Sequence, residues 1–316
     1  MGPSGPEASL TQLQPARVRI PCSTSNLGSG YDTVGLALDR FLEASFDPDD
    51  SNELRLIRSG TLERLAGEDE PDLVEELFRK RLGKVGIQPS GTLTLHSNIP
   101  VARGLGGSAA ARIVGFDLSL AVQGLPRDDD AAFAHTLKAE GHGDNAAPSV
   151  FGGLRAVAST ADGPIVMGLA LSPSVGFAYA APSAGVSTDD ARALLPNQVS
   201  HKIAAASLGR LVALIRGLAE GNPDLISIGV RDELHVPHRL ALIPSALFAI
   251  AAGVDAGAWA VTVSGAGSGL IAMCDPSDAA AVGAAMHEVF DAGTGDPECV
   301  GFAVQPCHEG LKRFEP

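Results

Sequence analysis

Apolar and polar side chains alternate along residues 17–23 and again along 53–59, where Leu54, Leu56 and Ile57 fall in a strand-like register. A period of two residues is that of a half-buried strand. Shorter apolar runs at 33–38 and 42–46 predict two more strands. The period lengthens over 72–85, where Leu73, Val74, Leu77, Phe78 and Leu82 share one face of a predicted helix. Residues 92–97 return to the strand pattern, and a glycine-rich segment from Pro100 to Ala111 follows at once. Residues 108–121 then predict a buried Ala-rich helix carrying Ile113, Val114, Phe116, Leu118 and Leu120. A helix over 129–140 runs into Gly141-His142-Gly143-Asp144-Asn145, and 150–157 reads as a returning strand.

The texture changes after Ala158. Residues 159–164 read as a linker, and 165–171 and 176–181 as two strands of a new sheet. Helical spacing follows over 200–221 and 244–253, then strands at 260–264 and 270–274 around a glycine turn, a helix over 279–290 and a last strand at 301–304. That order is a split α+β layer of ferredoxin-like type. The expected organisation is α+β in two domains, 17–160 and 161–316, behind a flexible tail at 1–16.

Composition narrows the partners. The chain has 316 residues, 45% of them apolar, enough to bury two domain cores. A formal net charge of −14 without a dense Lys/Arg cluster speaks against nucleic acid and anionic membranes as partners. Cys22, Cys274, Cys299 and Cys307 form neither a zinc spacing nor a disulfide framework, as expected of reduced thiols in a cytoplasmic protein. Residues 1–14 lack the charged start and apolar run of a secretory signal, and no apolar run reaches the length of a membrane span.

Three segments carry chemistry. Gly104, Gly106 and Gly107 allow close backbone approach to a ligand, and the helix behind them offers free N–H groups and a positive dipole end, the ingredients of a phosphate site. Glu140 with Ser108 offers the hard oxygens a divalent cation takes in phosphoryl transfer. Near them His142 can donate to a substrate oxygen, and Asp144 or Asn145 can orient an attacking hydroxyl. Asn26 and Asp32 flank a loop with Gly28 and Gly30, a composition that suits an ordinary turn as well as a polar pocket. The 264–270 run Ser-Gly-Ala-Gly-Ser-Gly-Leu lacks the strand–helix context of a dinucleotide loop and reads as a glycine hairpin closing one wall of the site.

Taken together, Pro21-Cys-Ser-Thr-Ser-Asn-Leu-Gly-Ser-Gly-Tyr-Asp, the 104–110 loop and 264–270 resemble the motifs of the GHMP small-molecule kinases, in the same order and spacing. Within that superfamily, the segment from Glu140 through Asn145 with its Phe-Gly-Gly sequel, Val186-Ser-Thr-Asp-Asp-Ala-Arg and Val236-Pro-His-Arg are most similar to those of homoserine kinases. The resemblance implies an N-terminal domain like the second domain of ribosomal protein S5, followed by a ferredoxin-like domain. It also implies ATP and Mg2+ as cofactors, phosphorylation of the L-homoserine hydroxyl in threonine biosynthesis, and possible homodimers.

By the same resemblance, Asp72, Pro100, Arg103, Gly104, Leu105, Gly106, Gly107, Ser108, Ala109 and Ala110 bind the nucleotide, and Ser108 and Glu140 the metal. Asn26, Asp32, His142, Asn145, Arg192 and Arg239 form the substrate pocket, with Asp32 on the ammonium and the arginines on the carboxylate. Homoserine kinases rely largely on positioning and charge stabilisation; of the catalytic candidates His142, Asp144 and Asn145, Asp144 is assigned as a base because it is the only nearby carboxylate besides Glu140. Departures from the family pattern are Gly107 in place of a serine, Ser29 and Gly143 in place of prolines, and Asp72 in place of an asparagine that meets adenine. Two alternatives stand beside this reading: another kinase of the superfamily, acting on a substrate such as mevalonate, and a non-catalytic nucleotide-binding protein. Asp32 with two arginines argues against the first; Ser108 with Glu140 argues against the second.

Overall fold

The computed structural model describes residues 13–65, 72–294 and 298–314, so most of the expected N-terminal tail lies outside the described residues. The chain opens with β1 (Ala16–Asn26), β2 (Gly30–Pro48) and β3 (Leu54–Gly60), then α1 (Leu73–Lys84), β4 (Gly91–Ser97), α2 (Gly107–Ala121), α3 (Asp129–Glu140), α4 (Ala146–Phe151), β5 (Leu154–Thr160) and β6 (Gly163–Gly168). These strands form one sheet with β11 (Lys312–Phe314) in the order β11-β1-β2-β4-β3, with β5 on the other half of β2 and β6 beside it. The pair β3–β4 is parallel, connected through α1.

Two strands expected at 33–38 and 42–46 are one. The 19-residue β2 runs through both, and its register against β1 slips between Pro21 and Cys22, where Pro21 faces Phe41 but Cys22 faces Leu38. The extra residues let β2 change partners: its first half pairs with β5 and its second with β4. A bulge of this kind bends a strand without ending it.

The strand expected at 150–157 starts only at Leu154, because Ala146–Phe151 is helical and stops at Gly152 and Gly153, both at positive φ. Nor is 159–164 a linker to a new sheet. Ser159 pairs with Pro164 and Thr160 with Gly163, so β5 and β6 form a hairpin that extends the first sheet.

The second sheet begins at β7 (Gly176–Ala181). After it come α5 (Thr188–Ala193), α6 (His201–Glu220), α7 (Pro223–Val230), α8 (Val236–Leu240), α9 (Ala246–Asp255), β8 (Ala258–Val263), β9 (Leu270–Cys274), α10 (Ala279–Thr294) and β10 (Val300–Val304). The order β10-β7-β9-β8, antiparallel throughout, is the ferredoxin-like arrangement expected from the sequence. The last strand, β11, then returns to the first sheet along β1.

The core follows from the patterning. Val18, Ile20, Phe46, Leu93 and Leu95 of the first sheet pack with Val74, Phe78 and Leu82 of α1 and Ile113 and Val114 of α2. Phe46 and Phe78 lie 5.2 Å apart between ring centres and are fully buried, each worth about 2–3 kcal/mol in apolar surface removed from water. Gly115 allows α1 and α2 to approach, since a Cβ there would meet the Val74 carbonyl at 2.9 Å. The same cluster takes in Phe177, Tyr179, Ile271 and Met273 from the second sheet, so the two sheets share a core. No helix among the described residues is long and apolar enough to cross a membrane.

Candidate active site

A cavity of about 450 Å³ opens where the two sheets meet. Its apolar end is lined by Leu42, Leu62, Leu65 and Ile99, and its polar end by Ser108, Glu140, His142 and Asn145. Asp72 stands at the N-terminus of α1, where its Oδ1 accepts from the backbone N–H groups of Val74 (2.9 Å) and Glu75 (3.3 Å), while Arg58 Nε donates to Oδ2 at 3.2 Å. It lines the cavity, as expected of a residue beside the nucleotide, with its carboxylate already engaged by α1 and Arg58.

The glycine loop has the geometry its composition predicts. Gly104 and Gly106 sit at φ +76° and +63°, and a Cβ on Gly104 would fall 2.0 Å from the Ser264 carbonyl. Gly106 caps α2 with no side-chain hydrogen bond, so the first N–H groups of this 15-residue helix are left for a ligand. Pro100, Arg103, Gly104, Gly106, Gly107 and Ser108 line the cavity, whereas Leu105, Ala109 and Ala110 are buried in the core behind it. The Arg103 guanidinium donates to the carbonyls of Glu298 (2.9 Å) and Ser183 (3.0 Å), so it ties the loop to the second domain. Ser108 Oγ donates to Glu140 Oε1 at 2.7 Å, joining the two residues singled out as hard oxygen donors. Arg112 Nε lies 3.5 Å from the same carboxylate oxygen.

The turn between β8 and β9 closes the opposite wall with Gly265, Ala266 and Gly267. It is latched to β1 and the glycine loop. Ser264 Oγ donates to the Gly104 carbonyl at 2.7 Å, and Gly265 N–H donates to the Ser25 carbonyl at 3.2 Å. Asn26 Nδ2 donates to the Gly265 carbonyl at 2.9 Å, and Asn26 Oδ1 accepts from Asp32 N–H at 2.9 Å. Asn26 thus shapes the 26–32 loop with both ends of its amide.

Beyond His142 and Asn145 the polar end continues into a charged cluster. His142 Nδ1 is 2.6 Å from Asp144 Oδ1, which also accepts from Asn145 N–H at 3.1 Å. Burial pulls the His142 pKa down, but the hydrogen bond and charge of Asp144 outweigh it and leave the pKa above its ordinary value. Asn145 bridges Ser23 and Ser25 through its side chain. One ligand atom each from Asp32, His142 and Asp144 lie within 4.8 Å of one another. Arg192, on α5, grips Asp32 with both nitrogens, at 2.8 and 3.0 Å, and also donates to Tyr31 Oη at 3.2 Å. Expected to hold opposite ends of a ligand, Asp32 and Arg192 here hold each other.

Arg239 is 2% exposed and donates through Nη1 to the Gly265 carbonyl at 2.8 Å. Of the residues the sequence singled out, Asp72, Pro100, Arg103, Gly104, Gly106, Gly107, Ser108, Glu140, His142 and Asn145 line the cavity, whereas Asn26, Asp32, Asp144, Arg192 and Arg239 connect to it through the contacts above. Sequence reasoning passed over Arg58, which donates to Asp72; Tyr31, which accepts from Arg192; Asp232, which accepts from the His235 backbone N–H; and His235, whose Nδ1 lies 3.1 Å from Arg239 Nη1. The last could have been found, since His235 and Arg239 stand four residues apart, on one face of a helical turn.

Comparison with known proteins gives matches over most of the chain. The family models described as GHMP kinases N terminal domain and GHMP kinases C terminal match residues 72–153 and 213–292. The homoserine kinase of Moorella thermoacetica is 36% identical over 93% of this chain and 98% of its own. That of Thermus thermophilus is 35% identical over 84% of this chain and 89% of its own. Among solved structures, the homoserine kinase of Cytophaga hutchinsonii superposes with a TM-score of 0.81 at 26% identity, covering 98% of this chain and 100% of that one. A mevalonate kinase of L. major, solved with R-mevalonate, shares the fold with a TM-score of 0.69 at 12% identity, covering 94% of this chain and 98% of that one. On the breadth of these matches and the two-domain architecture they share, this chain belongs to the GHMP kinases and, within them, to the homoserine kinases.

Proposed function

We propose that this protein transfers the γ-phosphoryl group of ATP to the side-chain hydroxyl of L-homoserine, yielding O-phospho-L-homoserine and ADP in threonine biosynthesis. The observation that carries the reading is a juxtaposition. An uncapped helix N-terminus with the Ser108–Glu140 pair adjoins a cluster in which the Asp32 carboxylate and the Arg192 guanidinium, the two charge types a zwitterion needs, are paired with each other. Asp32 takes the ammonium, and Arg192 and Arg239 take the carboxylate, where guanidinium forks bind well. Homoserine then exchanges the Asp32–Arg192 contact for one salt bridge to each of its own charges.

The nucleotide phosphates meet the N–H groups at the start of α2, and the base lies toward Asp72 and the apolar end. Ser108 and Glu140 suit Mg2+, being a hydroxyl and a carboxylate within 2.7 Å of each other. Mg2+ bound there supplies positive charge against the phosphate oxygens. His142 donates toward the substrate oxygen, held by Asp144. Asp144 is the acceptor we assign for the hydroxyl proton, with Oδ1 engaged by His142 and Asn145. Transfer through a loose transition state demands positioning and charge stabilisation more than early proton removal. We place the enzyme in the cytoplasm, where its cysteine thiols stay reduced, and propose that it forms a homodimer.

The test is ADP release from purified protein with Mg-ATP and a panel of alcohols. L-Homoserine is expected to turn over, and mevalonate and galactose not. No ADP above background from folded protein, or faster turnover of mevalonate, overturns the assignment.

A further inference from the structure

Behind the charged cluster lies a buried imidazole to which the preceding mechanism assigns no role. His235 is fully buried at the start of α8. Its Nδ1 lies 3.1 Å from Arg239 Nη1, and its Nε2 lies 2.9 Å from the Gly28 carbonyl. A guanidinium only donates, so Nδ1 is the acceptor. A carbonyl only accepts, so Nε2 carries the proton. The two partners together fix one neutral tautomer.

The surroundings hold that ring in place. Asp232 Oδ2 accepts from the backbone N–H groups of Leu234 (3.0 Å), His235 (2.7 Å) and Val236 (2.8 Å), clamping the turn that carries the ring. Tyr31 stacks on the imidazole with ring centres 5.0 Å apart, and the Arg239 guanidinium carbon lies 5.4 Å from the centre of the same tyrosine ring. Buried Arg239 Nε has no hydrogen-bond partner among the described residues, so the direction of this guanidinium depends on Nη1, shared between His235 and the Gly265 carbonyl.

We propose that His235 is a positioning residue: held as the neutral Nε2–H tautomer by the Gly28 carbonyl, it aims Arg239 through Nδ1 at the acceptor's carboxylate. The proposal rests on the reading of homoserine as acceptor. A proton on Nδ1 would set an N–H against an N–H and a charge against a charge, so protonation releases Arg239. Burial pushes the His235 pKa down; the charge of Asp232 opposes this, that of Arg239 reinforces it, and Asp32 from the 26–32 loop pulls upward, leaving the pKa below 6.5. Tyr31 Oη, near Asp32 and Arg192, has its own pKa raised by burial and is neutral in this range. The device therefore holds near neutral pH and fails in acid, in substrate affinity before turnover.

Two amides separate the two hydrogen bonds. In His235→Asn the amide oxygen stands near Nδ1 and keeps an acceptor for Arg239; in His235→Gln the amide nitrogen stands near Nε2 and keeps only the donor to Gly28. Steady-state kinetics on both variants and the wild type, from pH 5 to 8, test the idea. His235→Gln is expected to raise the homoserine KM at least tenfold, with kcat within about threefold and the ATP KM unchanged. His235→Asn is expected to stay within about threefold of wild type at pH 7.5 and to lose the acid rise in homoserine KM expected of the wild type. If His235→Gln does not fold, the pH profiles of the wild type and His235→Asn decide alone. Equal acid rises in these two, or an unchanged homoserine KM in folded His235→Gln, overturns the proposal while leaving the homoserine assignment intact. A wild type inert toward homoserine removes both.

Discussion

Gly106 and Gly107 are neighbours in sequence and opposites in structure, so one methyl group placed on each tests the loop geometry directly. At Gly106, φ is +63°, and an added Cβ would lie 2.5 Å from Ser23 Oγ and 2.8 Å from Asn145 Oδ1. The left-handed backbone costs an alanine about 1–2 kcal/mol and the overpacking about 1–3 kcal/mol, giving about 2–5 kcal/mol in all. The clash also falls on the Ser23–Asn145 contact at 3.1 Å, so the polar end of the cavity shifts with it. At Gly107 nothing lies within 4 Å of an added Cβ. It opens α2, where replacing glycine by alanine gains about 0.4–1 kcal/mol. Urea unfolding of Gly106→Ala and Gly107→Ala, with calorimetric titration of ATP, reads both effects. Gly106→Ala is expected to unfold at clearly lower urea and bind ATP weakly, and Gly107→Ala to unfold at the same or higher urea. A Gly106→Ala protein as stable as wild type, or a Gly107→Ala protein less stable by more than 1 kcal/mol, would refute the reasoning.

Ser108→Ala and Glu140→Gln should each raise the Mg2+ concentration needed for half-maximal rate roughly 10–100-fold, while Gly107→Ser, whose hydroxyl enters open space, leaves it near wild type; Mg2+ titration of ADP release checks both. Asp32→Asn removes the ammonium partner and should lower kcat/KM for homoserine about 10–100-fold, as expected for a lost charged hydrogen bond, with ATP binding unaltered in calorimetry. Asp117 is fully buried and holds Arg313 of β11 through two contacts, at 2.6 and 2.8 Å. Asp117→Ala should cost about 3 kcal/mol in urea unfolding, since it strands a partly buried guanidinium. The raised pKa of His142 implies a stabilisation that is full below 6.5 and fades as pH rises through the folded-state value. The stability difference between wild type and Asp144→Asn should therefore shrink as pH rises above 6.5.

Most of the fold was legible where one segment carried its own signal. The buried face of α1, with Val74, Leu77, Phe78 and Leu82, is a helical pattern long enough to read, and Asp72 caps it. The glycine loop was legible because positive φ and an uncapped helix start both demand glycine there. What stayed hidden depends on distant partners. The unity of β2 is set by a slip against β1 that no local pattern encodes. The hairpin β5–β6 reads as a linker and a strand until its pairing is seen. The short helices α4, α7 and α8 hold through tertiary packing, since segments of that length scarcely form alone. In the site, residue types were legible but their mutual contacts were not. Arg192 and Asp32 are 160 positions apart, and His235 meets Gly28 across 207.

The central claim is that a phosphate cradle and a zwitterion pocket share one reacting centre. The most direct measurement is phosphorus NMR of folded protein incubated with Mg-ATP and L-homoserine. The account predicts a phosphomonoester resonance, coupled to the side-chain methylene protons, growing in equal amount with ADP. ADP accompanied only by inorganic phosphate, or no change in the ATP signals, would contradict it.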